Sequence, residues 1–189
     1  KMNEKYEKFL ELIFYQIYPK SFMDANNDGI GDFNGIIQKI PYLAELGVNG
    51  VWLSPCYKSP GVDSGYDISD YTDVGEEFGT LDDFKRMLDC FHSYGIKVII
   101  DLVVNHCSTE HRWFKEAKKS RDNPYHDYFY WKEDGSYEGW WGYENHPKLN
   151  EEGCKQLEKE ILDIAQRLKA AKMLRAGESY TSVAKATGM

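Results

Sequence analysis

The chain has 189 residues, 42% of them hydrophobic and 15% aromatic, which is enough apolar material for one ordinary domain. Its formal charge of -8 disfavours nucleic acid or another polyanion as partner, because phosphate recognition needs clustered Lys and Arg. No apolar run reaches the ~20 residues of a membrane span, and the N-terminal KMNEKYEKF lacks the apolar core of a signal peptide, so a soluble, cytoplasmic protein is expected.

Cys56, Cys90, Cys107 and Cys154 lie far apart with no C-x-x-C, which argues against a zinc ribbon or a disulfide framework and for idle thiols in a reducing compartment. The Lys ahead of Met2 fits a chain that begins inside a longer one.

The first apolar run, Leu12 to Tyr18, is β-rich and closed by Pro19, and it predicts a strand. A segment rich in Asp, Asn and Gly follows from Asp24 to Asp32. From Phe33, residues Ile36, Ile37, Ile40, Leu43 and Leu46 recur at helical spacing up to Gly47, with Pro41 predicting a kink or a turn that resets the helix. A second strand is expected over Val48 to Leu53, stopped by Ser54-Pro55. Cys56 to Gly79 is too polar and too full of Gly and Asp for a regular element, and long loops inside compact domains are usually functional. Thr80 and Asp83 form a variant capping box for a helix through Tyr94, with Phe84, Met87, Leu88 and Phe91 on one face and Gly95 closing it.

The third strand is the run KVIIDLVVNH, 97 to 106, rich in β-branching and almost without alternation, which predicts burial on both faces. Strand, helix, strand, helix, strand is the alternation that builds a parallel sheet. Beyond it, Ser108 to Ser120 should hold a short helix, and 123 to 150 is irregular and aromatic, an excursion after the third strand. Glu151 to Arg175 is one long helix with Leu157, Ile161, Leu162, Ile164, Ala165 and Leu168 as its buried stripe. Ser179 or Thr181 starts another short helix through Ala186.

Three stretches carry chemistry. Asp24, Asn26, Asp28, the Ile30 carbonyl and Asp32 place oxygen ligands at alternate positions with Gly29 sixth, the wrap that suits a hard cation, Ca²⁺ or Mg²⁺. Gly35 stands where an EF-hand needs its twelfth-position Glu, so the loop is no EF-hand; a solvated Asx-rich turn is the plain alternative. In the loop tip 63 to 71, a carboxylate three residues from an aromatic suits a sugar, the ring stacking on the pyranose and the acid binding a hydroxyl, though a plain surface loop reads the same way. If the third strand runs to His106, its period of two puts Asp101, Val103 and Asn105 on one face and Leu102, Val104 and His106 on the other. Ionisable groups at a buried strand's end are costly unless paired or used, although a lone His is more often structural than functional.

Together FYQIYPKSF (14 to 22), DANNDGIGDFNGI (24 to 36), VNGVWLSP (48 to 55), SGYDISDY (64 to 71), GIKVIIDLVVNHCS (95 to 108) and EHRWFKEA (110 to 117) resemble the N-terminal part of an α-amylase superfamily enzyme, glycoside hydrolase family thirteen, nearest the oligo-1,6-glucosidase and α-glucosidase branch. YEGWWGYENHPKLN (137 to 150) is similar to the end of the small domain inserted after the third barrel strand in that family. The resemblance implies an α/β fold, a partial (β/α)₈ TIM barrel of three βα units with its site at the C-terminal face of the strands. On that basis 1 to 104 is barrel, 105 to 150 the inserted excursion and 151 to 189 a helical tail foreign to the barrel. The resemblance also implies that Asp63, Tyr66 and His106 hold the non-reducing glucose of an α-glucosidic oligosaccharide, that Asp101 and Asn105 support them, and that the 24 to 32 loop binds a structural metal.

Retaining glycosidases need a nucleophile and a general acid about 5 Å apart. In the family these lie in a G-x-R-x-D motif on the fourth strand and at the end of the fifth; this sequence has no such motif, so the chain alone is expected to be inactive. Its tail, QRLKAAKMLRAGESYTSVAKATGM, is instead similar to the start of a recombinase helix-turn-helix. A glycoside hydrolase fragment is therefore the first reading, with a non-catalytic sugar-binding scaffold and a fusion to a truncated DNA-binding tail as alternatives. An open three-strand sheet also exposes its outer edges, so self-association is expected.

Overall fold

The computed structural model describes residues 11–175 and 179–187, and the chain divides into two units, Lys1–Val103 and Val104–Met189. In the first, β-branched and aromatic runs become three short strands, β1 (Phe14–Ile17), β2 (Gly50–Leu53) and, after the intervening elements, β5 (Lys97–Ile100). They form one parallel sheet in the order β1-β2-β5, with Gln16, Trp52 and Ile99 aligned in one row and Ile17, Leu53 and Ile100 in the next. Between β1 and β2 lie the short α1 (Pro19–Phe22) and then α2 (Phe33–Glu45). Between β2 and β5 lie a two-stranded antiparallel ribbon, β3 (Tyr57–Lys58) with β4 (Asp70–Val74), and α3 (Leu81–Ser93).

The apolar stripes of the helices meet one face of the sheet. Ile36, Ile40 and Leu43 of α2 and Met87 and Phe91 of α3 pack with Ile17, Val51 and Leu53 into a core from which water is excluded. The opposite face is open: Phe14 is 38%, Trp52 39% and Ile99 46% exposed. Helix α3 has the capping box read from Thr80 and Asp83, each side chain bonding the other's backbone N–H.

Three expectations need correction. The third strand is not buried on both faces and does not run to His106: it ends at Ile100, with Ile99, Ile100 and Leu102 exposed. The strand order explains this, because β5 has β2 on one side and, among the described residues, nothing on the other. The 56 to 79 connection is not devoid of regular structure: Tyr57, Tyr71 and Val74 are buried and anchor the irregular β3-β4 ribbon. Helix α2 is continuous through the exposed Pro41, so no turn resets it there.

The second unit contains α4 (Arg112–Ala117), single-turn helices at His126–Tyr128 and Trp140–Gly142, and isolated antiparallel bridges such as Phe129 with Leu149 and Trp131 with Tyr137. Its interior is a web of rings in which Phe114 meets Phe129, Trp131 and Tyr137 at 5.1, 6.2 and 4.7 Å. Helix α5 (Glu151–Arg175) buries Leu157, but Leu162 is 61% exposed and so falls off the expected stripe; the side chains of Ile164, Ala165 and Leu168 lie outside the described residues. Helix α6 (Tyr180–Thr187) begins after Ser179, whose hydroxyl accepts the Ser182 N–H at 3.2 Å. No helix among the described residues is long and apolar enough to cross a membrane.

Candidate functional site

The polar groups of the first unit gather where the parallel strands end. One residue past β5, Asp101 keeps the ladder going through its N–H to the Leu53 carbonyl. Its side chain accepts the Trp52 indole N–H at 2.6 Å on one oxygen and the Tyr66 hydroxyl at 2.8 Å on the other. Tyr57 donates to the Asp101 carbonyl at 3.1 Å, and Tyr71 to that of Val103 at 2.7 Å. These bonds hold in place a backbone that no longer belongs to a strand. Burial first, and then the hydrogen bond to Asp101, push the Tyr66 phenol up to about 12, so it stays a neutral donor.

Asp63 stands exposed on the loop that presents Tyr66, its carbonyl accepting the Tyr66 N–H at 2.9 Å. The loop is folded around Asp67, which is fully buried and accepts from the Ser59 hydroxyl, the Val62 N–H and the Asp63 N–H at 2.8 to 3.0 Å. A carboxylate that serves three inward donors makes so irregular a loop definite in shape.

The Asp-rich segment closes through Asx turns. Asp24 accepts the N–H groups of Asn26 and Asn27 on one oxygen and of Gly29 on the other, and the Gly29 bond leads in drawing its carboxyl below the usual range. Asn26 and Asp28 receive the N–H groups of Asp28 and Ile30. Asp32 instead caps α2, accepting Gly35 N–H at 2.7 Å and Ala25 N–H at 3.0 Å. Gly35 is required because a Cβ there would lie 2.0 Å from the Met23 carbonyl oxygen, so the loop is pressed directly against the helix start. An all-oxygen donor set on one tight turn, each carboxylate keeping spare lone pairs, has the chemistry of a hard-cation loop. Among the described residues, however, no three acidic, His or Cys side chains converge at metal-binding distance, so such a site would depend on Asn26 and the Ile30 carbonyl as well.

Asn105 and His106 belong to the second unit. The Asn105 carbonyl accepts Leu149 N–H at 3.0 Å, and His106 bridges to Lys148. The His106 ring is 5% exposed, stacked on Trp140 at 5.9 Å and edge-on to His146 at 4.8 Å. The structure thus joins Tyr66 to Asp101 and sets Asp63 on the same loop.

Sequence reasoning missed Trp52, Tyr57, Asp67 and His146. Asp67 offered the one usable signal, a carboxylate next to Ile68 in a polar loop, but burial of an Asp cannot be read from a single sequence.

The family described as "Alpha amylase, catalytic domain" matches residues 16–152. An oligo-1,6-glucosidase of Parageobacillus thermoglucosidasius is 62% identical over 122 residues, 65% of this chain and 22% of the relative. The crystal structure of a Bacillus licheniformis trehalose-6-phosphate hydrolase mutant superposes with a TM-score of 0.72 at 42% identity, covering 81% of this chain and 32% of that one. A mutant of the trehalulose synthase MutB with bound glucose gives 0.73 at 38%, covering 82% and 32%. The chain thus spans about a quarter of the length of the curated relatives it matches, 22% to 26% for the first two. Its parallel sheet corresponds to part of their catalytic domain, and the barrel is not closed.

Proposed function

Because this chain belongs to the α-amylase catalytic-domain family, we propose that it forms the first three βα units of a (β/α)₈ barrel and the sugar-holding floor of an α-glucoside-acting glycoside hydrolase of the oligo-1,6-glucosidase type. The observation that carries this reading is Asp101 at the C-terminal end of β5, tied to Trp52 and Tyr66. In α/β barrels that end of the strands is where ligands are held.

In this reading the Asp63 carboxylate accepts from hydroxyls of the terminal glucose and the Tyr66 ring stacks on its apolar face. Asp101 fixes the Tyr66 ring by its phenol, and Asn105 orients the backbone beside His106. The open face bearing Phe14, Trp52 and Ile99 supports the same reading, as it is the side that further strands would cover. The retaining mechanism needs two carboxyl groups about 5 Å apart, and with no G-x-R-x-D motif this chain supplies the positioning and not the cleavage. Asp24, Asn26, Asp28, the Ile30 carbonyl and Asp32 would hold Ca²⁺ or Mg²⁺, a charge that braces the loop against the start of α2.

A chromogenic α-glucoside tests the division of labour. The purified chain should show no turnover, whereas turnover abolished by replacing one of its own carboxylates would place the catalytic pair within it. Terbium luminescence should rise on binding to the Asp24 loop and vanish in Asp24→Ala; unchanged emission in that variant would remove the metal assignment.

A further inference from the structure

The aromatic excursion holds a half-open cleft that the reading above leaves unused. It has a volume of about 710 Å³, within the range that accommodates small ligands, and is lined by Tyr137, Glu138, Trp140, Trp141, Glu144 and Lys148 among others. Trp141 is 84% exposed although it is the largest side chain type available, and one of its faces is taken by Trp140, at 5.7 Å and 23° between planes. The backbone goes out of its way to present it: Trp141 has φ 51° and ψ 24°, the left-handed region that costs a residue with a Cβ about 1–2 kcal/mol.

That conformation is imposed by its surroundings. Trp140 N–H bonds the His146 carbonyl at 2.8 Å and Gly142 N–H that of Gly139 at 3.0 Å, while Tyr143 N–H bonds that of Trp140 at 3.0 Å. A Cβ on Gly139 would lie 2.1 Å from the Tyr143 carbonyl oxygen, so the turn is closed as tightly as backbone allows. Backbone outliers held by their surroundings cluster at ligand clamps and active sites.

The polar rim is equally defined. Lys148 pairs with Glu138 at 2.7 Å and lies over the Tyr130 ring at 4.7 Å, and the Tyr137 hydroxyl donates to the Glu144 carbonyl at 2.7 Å. A flat indole face beside a carboxylate and an ammonium suits a ligand with one apolar ring face and a fringe of hydroxyls. We propose that Trp141, with Glu138 and Lys148, forms a second saccharide-binding platform in the excursion, separate in its residues from Asp63 and Tyr66. Only the identity of the sugar, an α-linked glucose oligosaccharide, rests on the functional reading given above.

Saturation-transfer NMR with maltotriose on the full 189-residue chain tests it. In the Asp63→Ala background, which disables the first pocket, transfer to ring protons should persist. Adding Trp141→Ala should cut it at least about tenfold, a change equivalent to about 1.4 kcal/mol, and Trp141→Phe should retain most of it. Because Trp141 is so exposed, its removal should leave the denaturant midpoint close to that of the unmodified chain. Transfer indifferent to Trp141→Ala, or absent from the unmodified chain, overturns the platform. Transfer lost in Asp63→Ala alone also overturns it while leaving the first pocket standing.

Discussion

The two units bury their apolar residues by different means. In the first, the apolar stripes on α2 and α3 are laid against a parallel sheet, and Phe91 is fully buried in a mostly aliphatic core that also holds Phe33 and Phe78. In the second, rings pack on rings along irregular backbone, and Phe114 meets three aromatic neighbours with the Lys118 ammonium over its face at 5.6 Å. The difference teaches that a periodic core needs volume at regular intervals, whereas an aromatic web needs particular ring geometry and tolerates little replacement.

The largest expected effect sharpens this contrast. Phe114→Leu should cost about 2–4 kcal/mol, since it forfeits several ring contacts at about 0.5–1.5 kcal/mol each, while Phe91→Leu should cost about 1 kcal/mol as a swap of similar volume. Denaturant midpoints measure both, and equal losses would break the comparison. Next comes Asp67→Ala, which strands three inward donors of the 59 to 67 loop and should cost about 2–4 kcal/mol. Hydrogen exchange should then accelerate at Val62 and Asp63 before any change in the second unit.

Smaller effects follow from titration. Tyr66 has its phenol raised from 10.0 to about 12, so its contribution is full below the unfolded value and lost as pH rises through the folded one. Phenolate absorbance should show several late-titrating tyrosines, Tyr57 and Tyr66 foremost, and Asp101→Asn should lower the Tyr66 midpoint only in part, because burial is the larger cause. Asp83 runs the opposite way. The Thr80 hydroxyl, more than any other group, lowers its carboxyl, so the capping box supports α3 at neutral pH and fails as pH falls through that lowered value. Asp83→Ala should destabilise α3 near neutrality and remove this acid-sensitive step in a melt.

The same contrast explains what the sequence revealed. Ile36, Ile40 and Leu43 at helical spacing, and Thr80 three residues before Asp83, are local signals, and α2 and α3 lie where those signals put them. The run KVIIDLVV reads as a buried strand because β-branching reports intrinsic preference and not neighbours; its place at the sheet edge depends on what pairs with it. Tyr66 and Asp101 were singled out on separate motifs, but their hydrogen bond joins residues 35 positions apart, and nothing local encodes it. His146 was hidden for the same reason, its relation to His106 arising only when the excursion folds back. Outer edges at β1 and β5 also make concentration-dependent association in sedimentation the expected behaviour of the isolated chain.

Calorimetric titration of isomaltose into the Trp141→Ala chain, where the second platform is disabled, tests the sugar-holding floor most directly. The account predicts a weak saturable isotherm, with Kd in the millimolar range or about -4 kcal/mol, that disappears when Asp63→Ala is added. An isotherm unchanged by Asp63→Ala, or no heat of binding at all, would contradict it.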